Sequence, residues 1–244
     1  MGSVGRSPRG TAQPISQGTG NSEEIYSDVD TRTTPMSDED IKQVSDDWST
    51  AYFQTGNAFA INDALRKNAK DGISIEETLR KRGRDDEEIQ GSLKTIETMD
   101  RNMRPTNKEM KLLRLTDKSY IRDIFANANV SSKVATAVDN IRISGNLGAN
   151  QEEYLKELNS KLSGLRIKEH GYMSCTYNLS LSDAVFMSRH IALDITAPQG
   201  TRGMFSPTGH ESEFVGARGS TYDITGVRFD NKLHKLVLEV RMNV

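Results

Sequence analysis

Gly209-His210-Glu211-Ser212-Glu213-Phe214-Val215, near the C-terminus, sets two carboxylates two residues apart at the head of a β-like run. Side chains at i and i+2 of an extended strand share a face, so Glu211 and Glu213 project side by side if the strand begins there. Like charges that close raise each other's proton affinity unless a cation or a hydrogen bond compensates. That makes the pair a candidate site. On its own, an acid-x-acid pair at a strand mouth is usually solvated surface. A loop broken by Pro and Gly, Ala197 to Gly209, lies in front of it.

The rest of the chain narrows the choice. It has 244 residues, enough for one large domain or two small ones with an ample core. Its formal net charge is -2, and charged residues of both signs, 27% of the total, are interspersed. A nucleic-acid binder would show a dominant basic stripe, so none is expected as a partner. The single cysteine, Cys175, excludes an internal disulfide framework. No apolar run approaches the length of a membrane span, and the N-terminus lacks the apolar core of a signal peptide. The histidines, His170, His190, His210 and His234, have no metal-ligand spacing, so no metal is expected.

Residues 1–35 are rich in Gly, Ser, Thr, Pro and Gln and read as a disordered leader, because they cannot bury enough surface to offset ordering. Residues 36–104 read as a helical region. Ser37 is the N-cap of a helix with Asp38, Glu39 and Asp40 in its first turn, where the dipole favours anions. Further helices are expected over 58–68, 74–82 and 85–103, the last with Ile89, Leu93, Ile96, Met99 and Met103 at helical spacing. The basic run Arg80-Lys81-Arg82-Gly83-Arg84 meets Asp85-Asp86-Glu87-Glu88. A helix end facing a helix start explains both better than a nucleic-acid patch.

Residues 105–244 change character. Met110 to Thr116 reads as a buried strand with Arg114 among leucines, and a buried cation needs an anion from the protein or a ligand. Helices are expected over 120–137 and 151–162. The strand Gly171 to Tyr177 contains Ser174-Cys175-Thr176, whose hydroxyls can orient a neighbouring carboxylate. A short helix from Leu181 to Arg189 follows, then strands over 191–196, 220–227 and 235–240. Short strands with inserted helices suggest a mixed α+β sandwich.

Arg114 on a strand, the Ser174-Cys175-Thr176 strand and Glu211-Ser212-Glu213, in that order, resemble the mono-ADP-ribosyltransferase family of the Arg–Ser-Thr-Ser–Glu-x-Glu class, bacterial toxins and effectors. The likeness covers Pro105 to Val244 and includes Phe186, Arg189 and Gly219 to Thr225. The chain departs from the pattern at Cys175, where Thr is usual, and at Leu115, where many relatives have Gly. Alternation puts the Cys175 side chain on the face opposite Ser174.

The resemblance implies an α+β fold, a mixed β-sandwich ADP-ribosyltransferase core preceded by the helical region and the leader. It implies NAD as substrate, with Arg114 on the diphosphate, Ser174 fixing Glu213, Thr176 supporting the strand, Phe186 on the nicotinamide and Arg189 on phosphate. Glu213 would stabilise positive charge as the glycosidic bond breaks, and Glu211 would orient or deprotonate the acceptor. The implied product is an ADP-ribosylated side chain, arginine first, on a host protein, with actin ahead of a Rho-type GTPase. A NAD glycohydrolase and a non-catalytic binding module that keeps the fold are the alternatives. A monomer, secreted or injected and acting in the host cytosol, completes the expectation.

Overall fold

The computed structural model describes residues 36–44, 48, 57–126, 130–141, 150–177, 189–205 and 213–244. The leader expected over 1–35 and the helix expected over 181–189, except for Arg189, lie outside these residues. The described residues form seven helices and one nine-stranded sheet in an α+β arrangement.

Four helices come first: α1 (Asp38–Val44), α2 (Asn57–Asp71), α3 (Ile75–Lys81) and α4 (Asp86–Asn102). Their starts follow from side-chain caps. Ser37 Oγ accepts from the Asp40 amide at 3.1 Å and Ser74 Oγ from the Glu77 amide at 3.0 Å. Asp85 and Glu88 exchange bonds with each other's amides in a capping box, which satisfies two otherwise orphaned donors. The basic run is neutralised locally: Arg80 pairs with Asp86, Lys81 with Glu77, Arg82 with Asp63 and Arg84 with Glu88.

Two strands follow, β1 (Arg104–Pro105) and β2 (Met110–Thr116), and then three helices, α5 (Lys118–Ala126), α6 (Ser132–Asp139) and α7 (Gln151–Leu162). The single helix expected over 120–137 is thus two, because Ser131 caps a new start. The remaining strands are β3 (Arg166–Lys168), β4 (Met173–Thr176), β5 (Ile191–Ala197), β6 (Arg202–Phe205), β7 (Glu213–Gly216), β8 (Thr221–Asp230) and β9 (Lys235–Met242). β6 corrects the reading of 197–209 as loop. Its Arg-Gly-Met-Phe sequence has little strand character, and pairing with β7 and β1 makes it one.

Strand order is β1-β6-β7-β4-β2-β5-β9-β8-β3, antiparallel throughout except between β5 and β9. β2 pairs with β5 along its whole length but meets β4 at one registered pair, Leu113 opposite Thr176. The sheet therefore has a narrow joint between β2 and β4. One face, with Leu112, Cys175, Leu193, Phe214 and Leu238, packs under α5, α6 and α7. On the other face Val215 and Met204, with Tyr172 just before β4, pack under α1, α2 and α4 with Trp48. Trp48 meets the Tyr172 ring edge-on at 5.5 Å, so the lone tryptophan is core, as its helical spacing suggests.

The short segment between β3 and β4 fastens these helices to the sheet. Asn62 on α2 accepts from the Tyr172 amide at 2.7 Å and donates to its carbonyl at 3.2 Å, pairing with the backbone as a strand would. Gly171 is what lets it approach: a Cβ there would stand 2.5 Å from Asn62 Oδ1 and 3.0 Å from its Cγ. Gly171→Ala is therefore expected to destabilise the protein by about 1–3 kcal/mol in urea unfolding. Asn62→Ala in the same chain should make the two losses less than additive. An unchanged midpoint for Gly171→Ala would refute this close approach.

Candidate active site

Register decides which side chains meet. Glu213 stands opposite Thr176 and Val215 opposite Ser174, so these four share a face of the β4–β7 pair. The burial of β4 alternates accordingly, with Met173 and Cys175 buried and Ser174 and Thr176 half-buried. Ser174 Oγ donates a hydrogen bond to Glu213 Oε1, across the diagonal between the strands. A carboxylate at the first residue of a strand is thereby locked to a neighbouring strand. β7 is pinned in turn by Phe214, whose ring lies under β6 where a Cβ on Gly203 would come within 2.2 Å of it. Phe205 packs edge-on against the same ring at 5.3 Å.

Arg114 leaves β2 on the opposite face. Its Cα stands opposite Leu193, and Leu193 belongs to the core under α5, α6 and α7. The guanidinium returns toward β4, and Nη1 donates to the Ser174 carbonyl at 2.6 Å. Arg114, Ser174 and Glu213 are thus joined in series through the peptide and the hydroxyl of Ser174. The buried Nε of Arg114 has no partner among the described residues, although the residue as a whole still reaches solvent. No carboxylate among the described residues pairs with it directly; the Tyr120 ring instead lies 4.5 Å from its guanidinium carbon. Burial works against its charge. Its pKa is nonetheless held above the ordinary arginine value, with the Glu169 carboxylate the nearby ionised group that favours the charge.

Three further residues complete this buried polar cluster. Glu169, 1% exposed, receives a two-pronged ion pair from Arg66 of α2 at 2.9 Å and 2.9 Å, and a bond from the Gly171 amide at 2.7 Å. Arg66 stands 5.2 Å from the Tyr120 ring centre. Burial pushes the Tyr120 hydroxyl well above its usual pKa, so it stays protonated. These residues include two guanidiniums and one hydrogen-bonded carboxylate, and Asp123 also acts on Arg66 through space. Sequence reasoning passed over Arg66, Glu169 and Tyr120. The available signal was Asn62 and Arg66, two polar residues four apart and therefore on one helix face, next to Ile61 and Leu65.

The other predicted residues are placed as follows. Arg189 sits two residues before β5, beside the end of β2, since Ile191 is opposite Thr116. Its side chain is ion-paired with Asp117, and its carbonyl accepts from Lys235 Nζ at 2.5 Å. Thr176 stands opposite Glu213. Phe186 and Glu211 lie outside the described residues. Burial raises the Cys175 thiol to about 12, which keeps it protonated and unreactive. Among the described residues no group of three or more His, Cys, Asp or Glu is placed to hold a metal ion.

Comparison with known proteins agrees with this architecture. The profile of the ADP-ribosyltransferase exoenzyme family matches residues 39–243, so the match runs through α1 to α4 as well as the sheet. A search of curated protein sequences gives no match. Among solved structures, Plx2a, an ADP-ribosyltransferase toxin from Paenibacillus larvae, superposes with a TM-score of 0.57 at 17% identity, covering 91% of this chain and 94% of that one. The Clostridium limosum C3 exoenzyme gives 0.54 at 16% identity over 91% and 90%. BECa, an ADP-ribosylating toxin of a C. perfringens binary enterotoxin solved with NADH, gives 0.56 at 16% identity over 91% of this chain and 46% of that one. At such identities these three likenesses establish the fold.

The Glu169 pair gives a pH test. Burial opposes the Glu169 charge, but the Arg66 ion pair and the Gly171 amide prevail and hold its carboxyl below the ordinary glutamate value. A carboxyl lowered in the folded state contributes stability above its unfolded pKa and loses it as pH falls through the folded one. Glu169→Gln should cost about 3 kcal/mol at neutral pH, since it strands a buried guanidinium. The gap between wild type and variant should narrow as pH drops below about 4. A gap constant across pH in urea unfolding would contradict the ion pair.

Proposed function

We propose, for a chain that belongs to the ADP-ribosyltransferase exoenzyme family and is an NAD-dependent mono-ADP-ribosyltransferase, that Arg114, Ser174 and Glu213 hold NAD for transfer of its ADP-ribose to an arginine of a host protein. The observation that supports this most is the series of bonds from the Arg114 guanidinium through Ser174 to the Glu213 carboxylate. It links a cation suited to a diphosphate with an anion suited to an oxocarbenium ion.

The chemistry follows from those charges. NAD is the substrate of this family. Its nicotinamide already carries positive charge, so the glycosidic bond to C1′ of the ribose breaks with nicotinamide leaving neutral and no acid needed. Positive charge then develops on the ribose, as in glycoside hydrolysis. Glu213, held by Ser174, stabilises that charge without having to reorganise. Arg114 offers the diphosphate a guanidinium whose Nε is unpartnered among the described residues. Arg189 reaches phosphate by exchanging Asp117 for it, and Phe186 packs on the nicotinamide. An arginine nitrogen of the acceptor bonds to C1′ and gives its proton to Glu211.

The arginine acceptor rests on Glu211 and on the Glu-x-Glu resemblance. Actin is the first protein to test and a Rho-type GTPase the second. Action in the host cytosol after secretion or injection, as a monomer, fits a member of this toxin family. Among the described residues no helix is long and apolar enough to cross a membrane.

Labelled NAD incubated with the purified chain and host lysate tests the reading. Glu213→Gln should lower transfer by about 10²–10³ or more. Glu211→Gln should retain NAD cleavage while losing transfer, and mass spectrometry of the labelled protein should find ADP-ribose on arginine. Transfer at the wild-type rate by Glu213→Gln would overturn the assignment. Cleavage without any labelled protein would make the chain a glycohydrolase.

A further inference from the structure

Arg114 is held in an unusual way for a buried cation. A guanidinium has five N–H donors, and a buried one is ordinarily met by a carboxylate that takes two of them and cancels the charge. Here one donor goes to a peptide carbonyl, and among the described residues the Nε–H has no partner and no carboxylate hydrogen-bonds to the group. The contact that remains is the Tyr120 ring, 4.5 Å from the guanidinium carbon. Chain geometry explains the approach. β2 ends at Thr116 and α5 begins at Lys118, so Tyr120 in the first turn of α5 folds back onto a residue six positions earlier.

The same ring lies 5.2 Å from the Arg66 guanidinium. The two cations repel; Glu169 hydrogen-bonds to Arg66 and acts on Arg114 only through space. Of the two, Arg114 is thus the guanidinium with no hydrogen-bonded carboxylate among the described residues, and it lies beside the ring of Tyr120. An aromatic face attracts a cation without consuming its N–H groups and without neutralising it. It is a support that orients an arginine yet leaves it able to bind an anion.

We infer that Tyr120 is a positioning residue for NAD: its ring holds the Arg114 guanidinium by a cation–π contact in the orientation in which its free donors meet the diphosphate. Tyr120 touches no substrate in this role. It acts through Arg114, and the inference rests on the assignment of Arg114 to NAD given above.

The test uses the full chain and NAD, with affinity read by calorimetry and KM and kcat read by transfer. Tyr120→Phe keeps the ring and should bind NAD within about threefold of wild type. Phenylalanines bearing increasing numbers of ring fluorines, incorporated at position 120, keep nearly the same shape while draining the π-face. Across that series Kd and KM for NAD should rise stepwise to about tenfold, with kcat changing less than about twofold. A purely structural role would not track fluorine number, since the shape hardly changes. A flat series, or a loss at Tyr120→Phe as large as at the most fluorinated ring, overturns the proposal. Arg114→Lys separates the two readings. If it binds NAD as wild type does, the Arg114 assignment falls and the clamp with it. If it weakens NAD while the fluorinated series stays flat, only the clamp falls.

Discussion

The hold of α2 on the segment between β3 and β4 governs the rest of the molecule. Asn62 pairs with both backbone groups of Tyr172, and Arg66, one turn further on, grips Glu169 with two bonds. Glu169 also accepts from the Gly171 amide, and its own backbone bonds to Ser220 and Gly219 tie in the turn between β7 and β8. A charge this deeply buried is tolerable only when paired and fully hydrogen-bonded. The geometry of α2, of that turn and of the start of β4 must therefore be satisfied together. Ser174 stands two residues past the Tyr172 anchor.

This hold carries into the site because β4 is narrowly attached on one side. It meets β2 at a single registered pair, while β7 pairs with all of it. Helix packing on Tyr172, Val215 and Met204 supplies what the thin β2–β4 joint does not. The Tyr172 hydroxyl extends the attachment, donating to Asp100 of α4 at 2.7 Å, and Arg218 grips the same carboxylate from the turn after β7. Both strands that carry Ser174 and Glu213 are thus anchored to the N-terminal helices. Arg114, across the joint on β2, reaches them through the Ser174 carbonyl.

The electrostatics of the two faces divide the work. On one face a carboxylate is fixed by a hydroxyl at a half-exposed position, where positive charge on a ligand can meet it. On the other, the Arg114 guanidinium is held by a peptide carbonyl and an aromatic ring, with no hydrogen-bonded carboxylate among the described residues. A dinucleotide carries its negative charge on the diphosphate and develops its positive charge at a ribose. The proposed roles of Arg114 and Glu213 follow from that separation of charge.

Much was legible in the chain itself. Apolar periodicity and capping residues located β2 and α7 to the residue and α2 to α4 to within three, because those signals act over a few residues. The order Arg114, Ser174, Glu213 was enough to suggest the family. Pairing was not legible. β6 is a strand because β1 and β7 bracket it, and Arg66, Glu169 and Tyr120 look like ordinary helix and loop residues until α2 and α5 close on β4. Which anion would meet Arg114 was also undecided, since burial is visible in a run of leucines but a partner sixty residues away is not. The amino-acid order sets local geometry and the kinds of charge available. Only long-range packing, which brings distant segments within a few ångströms, decides which of those charges cancel and which are left for a ligand.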